Sequence, residues 1–302
     1  MDPYHEQIFD QWGRCATFGS MKRPRPVCPN VACQNHVDPP TGFYRKKGYR
    51  TAKHNHQPVP RYQCKTCGRK FCATQFKALR GHHRPDLNPR IFELAVSGVS
   101  MRRMVLLLRC SKRTIAQKII HLAKEAERHH KAHLATVRTS YVMLDELITF
   151  LHARPKQLSV AVVVRVKTGE VLGFAVSRIP TSMTGYDKYQ WVNDDTPKKI
   201  PALMRSLAPV LKPGALLASD AHPSYAKWLE RALPGVQHRP VKALVSKLAQ
   251  KADERDPLFA INLTFAKMRN DLARLGRKTW TTTKSIEGLE RHLWLWVAWT
   301  NG

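Results

Sequence analysis

The spacing of apolar residues changes character along the chain. From Asn88 it follows a helical period, with Ile91, Leu94 and Ala95 on one face and a break at Gly98. Ser100 is placed to cap a second helix over Met101–Leu108, and Ser111 a third over residues 112–126. At Tyr141 the pattern turns strand-like. Residues 141–150, the β-branched run 159–166 and residues 171–177 read as three strands, the last two joined by a hairpin turn at Lys167-Thr168-Gly169-Glu170. A helix over residues 197–211, a short buried strand over 215–219 ending at Asp220, a helix over 223–233 and a strand over 236–239 follow. Two long helices, 257–275 and 284–299, close the chain. Upstream, residues 45–60 read as a hairpin, and Arg61-Tyr62-Gln63-Cys64 with Arg69-Lys70-Phe71 as a strand entering and leaving a tight turn. Residues 1–26 are polar, end in Lys22-Arg23-Pro24-Arg25-Pro26 and read as a flexible lead-in.

No run of 18 apolar residues occurs and Met1 to Cys15 has no hydrophobic core, so neither a membrane span nor a secretion signal is expected. Hydrophobic residues make up 43% of 302, enough for a sizeable core and for two or three domains. Charge narrows the partner. There are 51 Lys and Arg against 22 Asp and Glu, a formal net charge of +29. Residues 1–139 hold 27 basic and 8 acidic side chains, and residues 140–302 hold 24 and 14. A polyanion fits both halves, with the N-terminal half the stronger anchor.

Cysteine spacing adds chemistry. Cys28-Pro29-Asn30-Val31-Ala32-Cys33 and Cys64-Lys65-Thr66-Cys67-Gly68 are two close pairs, the pattern of a four-thiolate zinc ribbon over residues 27–80. Cys72, His54 or His56 is near enough to replace one ligand. Cys15 and Cys110 read as plain thiols. An odd number of cysteines with metal-type spacing agrees with a reducing cytosol. In residues 86–135 the two capped helices after Gly98 fit a helix-turn-helix that presents Arg102, Arg103, Lys112 and Arg113 to DNA, although a plain three-helix linker carries the same caps. His129, His130 and His133 fall on its polar continuation and are expected to be solvated.

Over residues 140–302, three antiparallel strands followed by helix, strand, helix, strand and helices is a ribonuclease-H-like order. That order makes the strands of Asp145 and Asp220 neighbours, and two carboxylates on rigid backbone suit magnesium or manganese. The alternative is an Asp145 ion pair and an Asp220 that caps the following helix. The whole is an α/β multi-domain chain: zinc ribbon, helix-turn-helix, then a mixed sheet with flanking helices.

Asn270-Asp271-Leu272-Ala273-Arg274-Leu275-Gly276-Arg277-Lys278-Thr279-Trp280, with Thr283-Lys284-Ser285-Ile286-Glu287 after it, resembles the C-terminal signature of insertion-sequence-one transposases. The resemblance covers roughly residues 27–300 and implies a zinc ribbon, a helix-turn-helix and a DDE catalytic domain, with the first two acids at Asp145 and Asp220. It sets Asn262 at the third position, an amide where the family has a glutamate. Asp256, 35 residues beyond Asp220, competes for that role; Glu287 and Glu254 are further alternatives. Arg269, Arg274, Arg277 and Lys278 form a basic face near this site. Of Trp294, Trp296 and Trp299 most are core residues, and one is available to stack on an unpaired base.

The resemblance implies a DNA transposase with a structural zinc ion and catalytic magnesium or manganese. It would bind double-stranded DNA at terminal inverted repeats and at target sites, act as a homo-oligomer on DNA and reside in the cytoplasm at the nucleoid. A rival reading is a DNA-binding protein derived from a transposase whose catalytic domain has decayed. A zinc-ribbon RNA-binding protein explains the charge but gives Asp145 and Asp220 no task.

Overall fold

The computed structural model describes residues 27–51, 58–72, 84, 86–181, 191, 193–241, 257–276 and 281–302. The chain forms two compact units, Met1–Pro89 and Arg90–Gly302. In the first, β1 (Tyr44–Thr51), β2 (Pro58–Cys64) and β3 (Lys70–Cys72) make an antiparallel sheet in the order β1-β2-β3. Among the described residues its main apolar cluster is small: Phe43 and Phe71 stack at 6.0 Å, Tyr44 and Tyr62 pack against them, and the rest is cysteine. A core this thin needs a second source of stability, and a bound metal is the usual one. Along β1 every residue after Tyr44 is exposed.

The second unit begins within α1 (Leu87–Val96) and continues through α2 (Met101–Leu108) and α3 (Lys112–Leu134). Both serine caps form. Ser100 accepts from the N–H of Arg103 at 3.3 Å, and Ser111 from the N–H of Thr114 at 3.1 Å. Between the helices Arg109 takes the left-handed conformation that ends α2.

Next come β4 (Thr139–Phe150), β5 (Gln157–Arg165), β6 (Val171–Arg178), α4 (Thr196–Ser206), β7 (Leu211–Asp220), α5 (Pro223–Ala232), β8 (Gln237–Val241), α6 (Phe259–Asp271) and α7 (Ile286–Asn301). The sheet order is β6-β5-β4-β7-β8. β4, β5 and β6 pair antiparallel, and β4, β7 and β8 pair parallel. From Leu158 to Val164 β5 is wholly buried, because helices cover both sheet faces. On one face α4 and α5 pack Ile200, Met204, Tyr225 and Leu229 against Val142, Leu144, Ala161 and Leu217. On the other, α6 meets β4 and β5, while α7 meets β6 and α3.

The helical segment and the sheet are joined inside this unit. The N–H of Gly98 donates to the carbonyl of Asp271 at 2.6 Å, and the Asp271 carboxylate accepts from the indole of buried Trp296 at 2.9 Å. Asn301 bonds the N–H and the carbonyl of Val171 at 2.9 and 2.8 Å, tying the end of α7 to edge strand β6.

Two sequence expectations are corrected. The helix expected over 197–211 ends at Ser206, and Leu211 already belongs to β7. The N–H of Thr139 takes the Val210 carbonyl, and residues between Leu211 and Leu216 bulge out with Gly214 at φ +70°, so sheet pairing overrides the helical pattern. His130 is buried rather than solvated: its Nε2 lies 3.1 Å from the carbonyl of Leu172 and its ring packs on Trp294, which depresses its pKa by burial.

Candidate functional site

The cysteine cluster is built by two turns. The N–H of Cys33 bonds the carbonyl of Asn30 and that of Cys28 the carbonyl of Asn35, which closes the first loop despite its extra length. In the second, the N–H of Gly68 bonds the carbonyl of Cys64, and Gly68 adopts φ +71°, where a side chain would be strained. The sulfurs of Cys28, Cys33, Cys64 and Cys67 all lie within 4.8 Å of one another. Cys28 and Cys67 are 3.4 Å apart, and Cys33 and Cys64 are 3.9 Å apart. A tetrahedron of bonds about 2.3 Å long has edges of about 3.8 Å, so the set fits a metal ion.

Burial pushes the Cys28 thiol up to about 12. At Cys64 burial acts in the same sense, but the N–H of Cys67, the Asn35 amide and the N–H of Thr66 outweigh it and hold the thiol down at about 6. Asn35, 1% exposed, links the two loops: its Nδ2 donates to Cys64 Sγ at 3.5 Å and to Thr66 Oγ1 at 2.8 Å. Cys72 is outside the cluster, and His54 and His56 lie outside the described residues.

The carboxylates sit on the central sheet. Asp145 is in the middle of β4 and Asp220 is the last residue of β7; the strands are parallel and register Leu144 against Ser219, so the next position sets the two acids side by side. Side chains alternate along a strand. Leu144 joins the cluster under α4 and α5, so Asp145 points to the opposite face, and Asp220 shares it because Ser219 partners Leu144. Burial pushes the Asp145 carboxyl up to about 6; the N–H of Glu146, 2.7 Å from Oδ1, opposes this, and the charges of Asp220 and Glu146 add to it. Asp220 Oδ1 is buried without a hydrogen-bond partner among the described residues.

A third acid does not join them among the described residues, where the cysteines are the single group of three or more converging metal-ligating side chains. Asn262 is exposed on α6, whose buried face is Ile261, Thr264, Phe265 and Met268. Glu287 is exposed in the first turn of α7. Asp256 and Glu254 lie outside the described residues, as do Arg277 and Lys278. Arg102, Arg103, Lys112, Arg113 and Arg269 are exposed. Arg274 departs from the expected basic face: its Nε donates to Nδ1 of buried His292 at 3.1 Å and its Nη2 lies 3.7 Å from the sulfur of Met101. Burial lowers its pKa and holds His292 down at about 3, so this contact joins a cation to a neutral ring. Each tryptophan packs on the fold: Trp296 is 1% exposed, Trp294 lies against Phe174 and His130, and Trp299 against Phe92.

Comparison with known protein families and with curated proteins found no match. Sequence reasoning also missed residues around the acids. Glu146, next to Asp145, accepts from the Tyr225 hydroxyl at 2.6 Å and from the hydroxyl of Ser159. Tyr225 is 1% exposed, and its phenol is pushed up by burial and by the charges of Glu146, Asp220 and Asp145. Ser219 lies 2.9 Å from Nε2 of His238 on β8. The adjacency of Asp145 and Glu146 in an apolar strand was the available signal, since a half-buried acid needs a donor. No helix among the described residues is long and apolar enough to cross a membrane.

Proposed function

We propose that the chain is a DNA transposase. In this reading residues 27–80 are a zinc ribbon and residues 86–135 a helix-turn-helix that together bind terminal inverted repeats. Residues 140–302 are a ribonuclease-H-like domain that cuts and joins strands. The observation that carries the reading is the pairing of Asp145 and Asp220 on neighbouring parallel strands, with an Asp220 oxygen buried and unpartnered among the described residues. Exposed cations at the start of α3 and a net charge of +29 support a polyanionic substrate.

The residues divide the work. Asp145 and Asp220 would hold magnesium or manganese, which when bound supplies Lewis acidity toward a phosphodiester. Rigid strands fix both carboxylates before DNA arrives, so little reorganisation is left for the reaction. Lys112 and Arg113, at the exposed start of α3, face outward to a duplex, and Arg102, Arg103 and Arg269 offer phosphate contacts. The four cysteines would hold zinc and so stabilise the N-terminal sheet.

The test is strand cleavage on duplex carrying the element's ends. Asp145→Asn and Asp220→Asn should each abolish magnesium-dependent cleavage while leaving duplex binding within about twofold. Cleavage that survives either change would refute the assignment. One observation favours the rival: the third family position is a neutral, exposed amide, Asn262, which fits a protein that binds repeats without cutting them. An unmutated chain that binds its repeats yet never cleaves with magnesium or manganese would establish that rival. If Asn262 is the third ligand, Asn262→Ala should kill cleavage and Asn262→Glu keep or raise it; if Asp256 is, its own replacement by Ala should be the lethal one.

A further inference from the structure

Glu146 is an unusual place for a charge. It lies on the central strand, half-buried, and both of its oxygens accept from neutral hydroxyls, Oε1 from Tyr225 and Oε2 from Ser159. Among the described residues no Lys, Arg or His forms an ion pair with it. A carboxylate taken from water without a counter-cation destabilises the fold, and neutral donors offset only part of that. An apolar residue here would pack against the same cluster of Leu144 and Ala161 without the penalty. The charge therefore calls for a cation that the described residues do not provide.

The surroundings say where that cation would sit. Glu146 follows Asp145 in sequence, its N–H donates to Asp145 Oδ1 at 2.7 Å, and its charge is among those acting on Asp145. Tyr225, five residues beyond Asp220 on the first turn of α5, feels Glu146, Asp220 and Asp145 together. Three carboxylates thus lie about the paired strands β4 and β7; the one described basic group acting on them is His238, which feels Asp220 without forming an ion pair with it. Glu146 differs from the other two in geometry. Its hydroxyl partners keep it on the α5 side of β4, while Asp145 and Asp220 face the α6 side.

We infer that Glu146 is a positioning residue that supplies the third negative charge of the Asp145–Asp220 cation site from behind the strand, acting through its field and not as a ligand. The inference rests on the proposed cation site. It also accounts for a neutral Asn262: with a fixed carboxylate behind β4, the site does not depend on an acid from α6 for its charge balance. A partner outside the first coordination shell typically changes metal affinity by about 10–100-fold, and a charge in a half-buried setting is only partly screened.

The experiment measures manganese binding to the full chain, with zinc in place and DNA absent, by electron paramagnetic resonance of the free ion. Asp145→Asn identifies the component that belongs to this site. Glu146→Gln removes the charge and keeps an acceptor for Tyr225, its amide nitrogen donating to a Ser159 hydroxyl that can turn to accept; Tyr225→Phe keeps the charge and removes a hydrogen bond. Glu146→Gln should weaken the Asp145-dependent binding about tenfold or more, whereas Tyr225→Phe should alter it less than about threefold even where its thermal midpoint falls further. Unchanged affinity in Glu146→Gln, or equal losses in both variants, would overturn the inference and leave the proposed cation site standing. An unmutated chain with no Asp145-dependent manganese binding would overturn both.

Discussion

Asp145 should destabilise the metal-free fold at neutral pH, and its replacement by asparagine should stabilise that fold. Its carboxyl is raised from 3.8 to about 6, mainly by burial. Between those values the folded chain holds a proton that the unfolded chain has released, so wild-type stability falls as pH rises through the window. At about 1.4 kcal/mol for each pH unit, the loss is on the order of 3 kcal/mol above pH 6 and vanishes below the unfolded value. Asparagine escapes it: it has the same shape, its Oδ1 still accepts the N–H of Glu146, and it carries no charge. For a domain of this size the difference corresponds to about 6–12 °C in melting temperature. The assay is thermal unfolding of both proteins without divalent cation beyond zinc, from about pH 4 to pH 7.5. Asp145→Asn should be level with wild type at the acid end and lead by the full amount at pH 7.5. Magnesium should narrow the gap by stabilising wild type alone. A gap that does not change with pH, or a variant that melts earlier at pH 7.5, would refute the reasoning.

Other outcomes are expected elsewhere. Chelation, or Cys33→Ser, should unfold the N-terminal sheet and leave the unit Arg90–Gly302 folded, which proteolysis with far-ultraviolet dichroism can follow. Lys112→Ala with Arg113→Ala should weaken repeat binding by about 1–3 kcal/mol if they reach base edges, with a smaller loss on random duplex; gel shifts at several salt concentrations separate the two. Gly98→Ala should lower stability by about 1–3 kcal/mol in denaturant titration, because Gly98 sits at φ +69° and a Cβ would lie 3.2 Å from the carbonyl of Asn270. Trp296→Phe removes the indole donor to Asp271 and should cost about 1–3 kcal/mol in the same assay.

The parts of this molecule that the sequence made legible are those fixed by local spacing. Cysteine pairs separated by a few residues can do little but converge, and Ser100 and Ser111 cap helices because the donors they satisfy lie three residues ahead. The neighbouring strands of Asp145 and Asp220 followed from element order. What stayed hidden depends on the far side of a contact. His130 sits in a polar stretch of α3, and the packing of Trp294 on its ring with the carbonyl of Leu172 at its Nε2 makes it a core residue. Arg274 reads as surface charge until α7 brings His292 to it. Residues 207–211 read as the end of a helix, yet pairing with β4 draws Leu211 into β7, and a bulge opposite Thr139 to Tyr141 takes up the residues that follow. Glu146 was overlooked because its partners lie 13 and 79 residues away, beyond the reach of periodicity.

The hydrogen bond from Gly98 to Asp271 has a mechanical consequence. It ties the turn between α1 and α2 to the end of α6, so the helices that would read a repeat and the sheet that would open a strand belong to one compact unit. If the proposed function holds, such a unit would work as a ruler: the number of base pairs between the bases gripped and the bond broken would be set by the protein's own dimensions. Inserting about five base pairs, half a helical turn, between the gripped sequence and the end of the element would carry the natural junction to the far side of the duplex, and the cut would follow the protein rather than the junction.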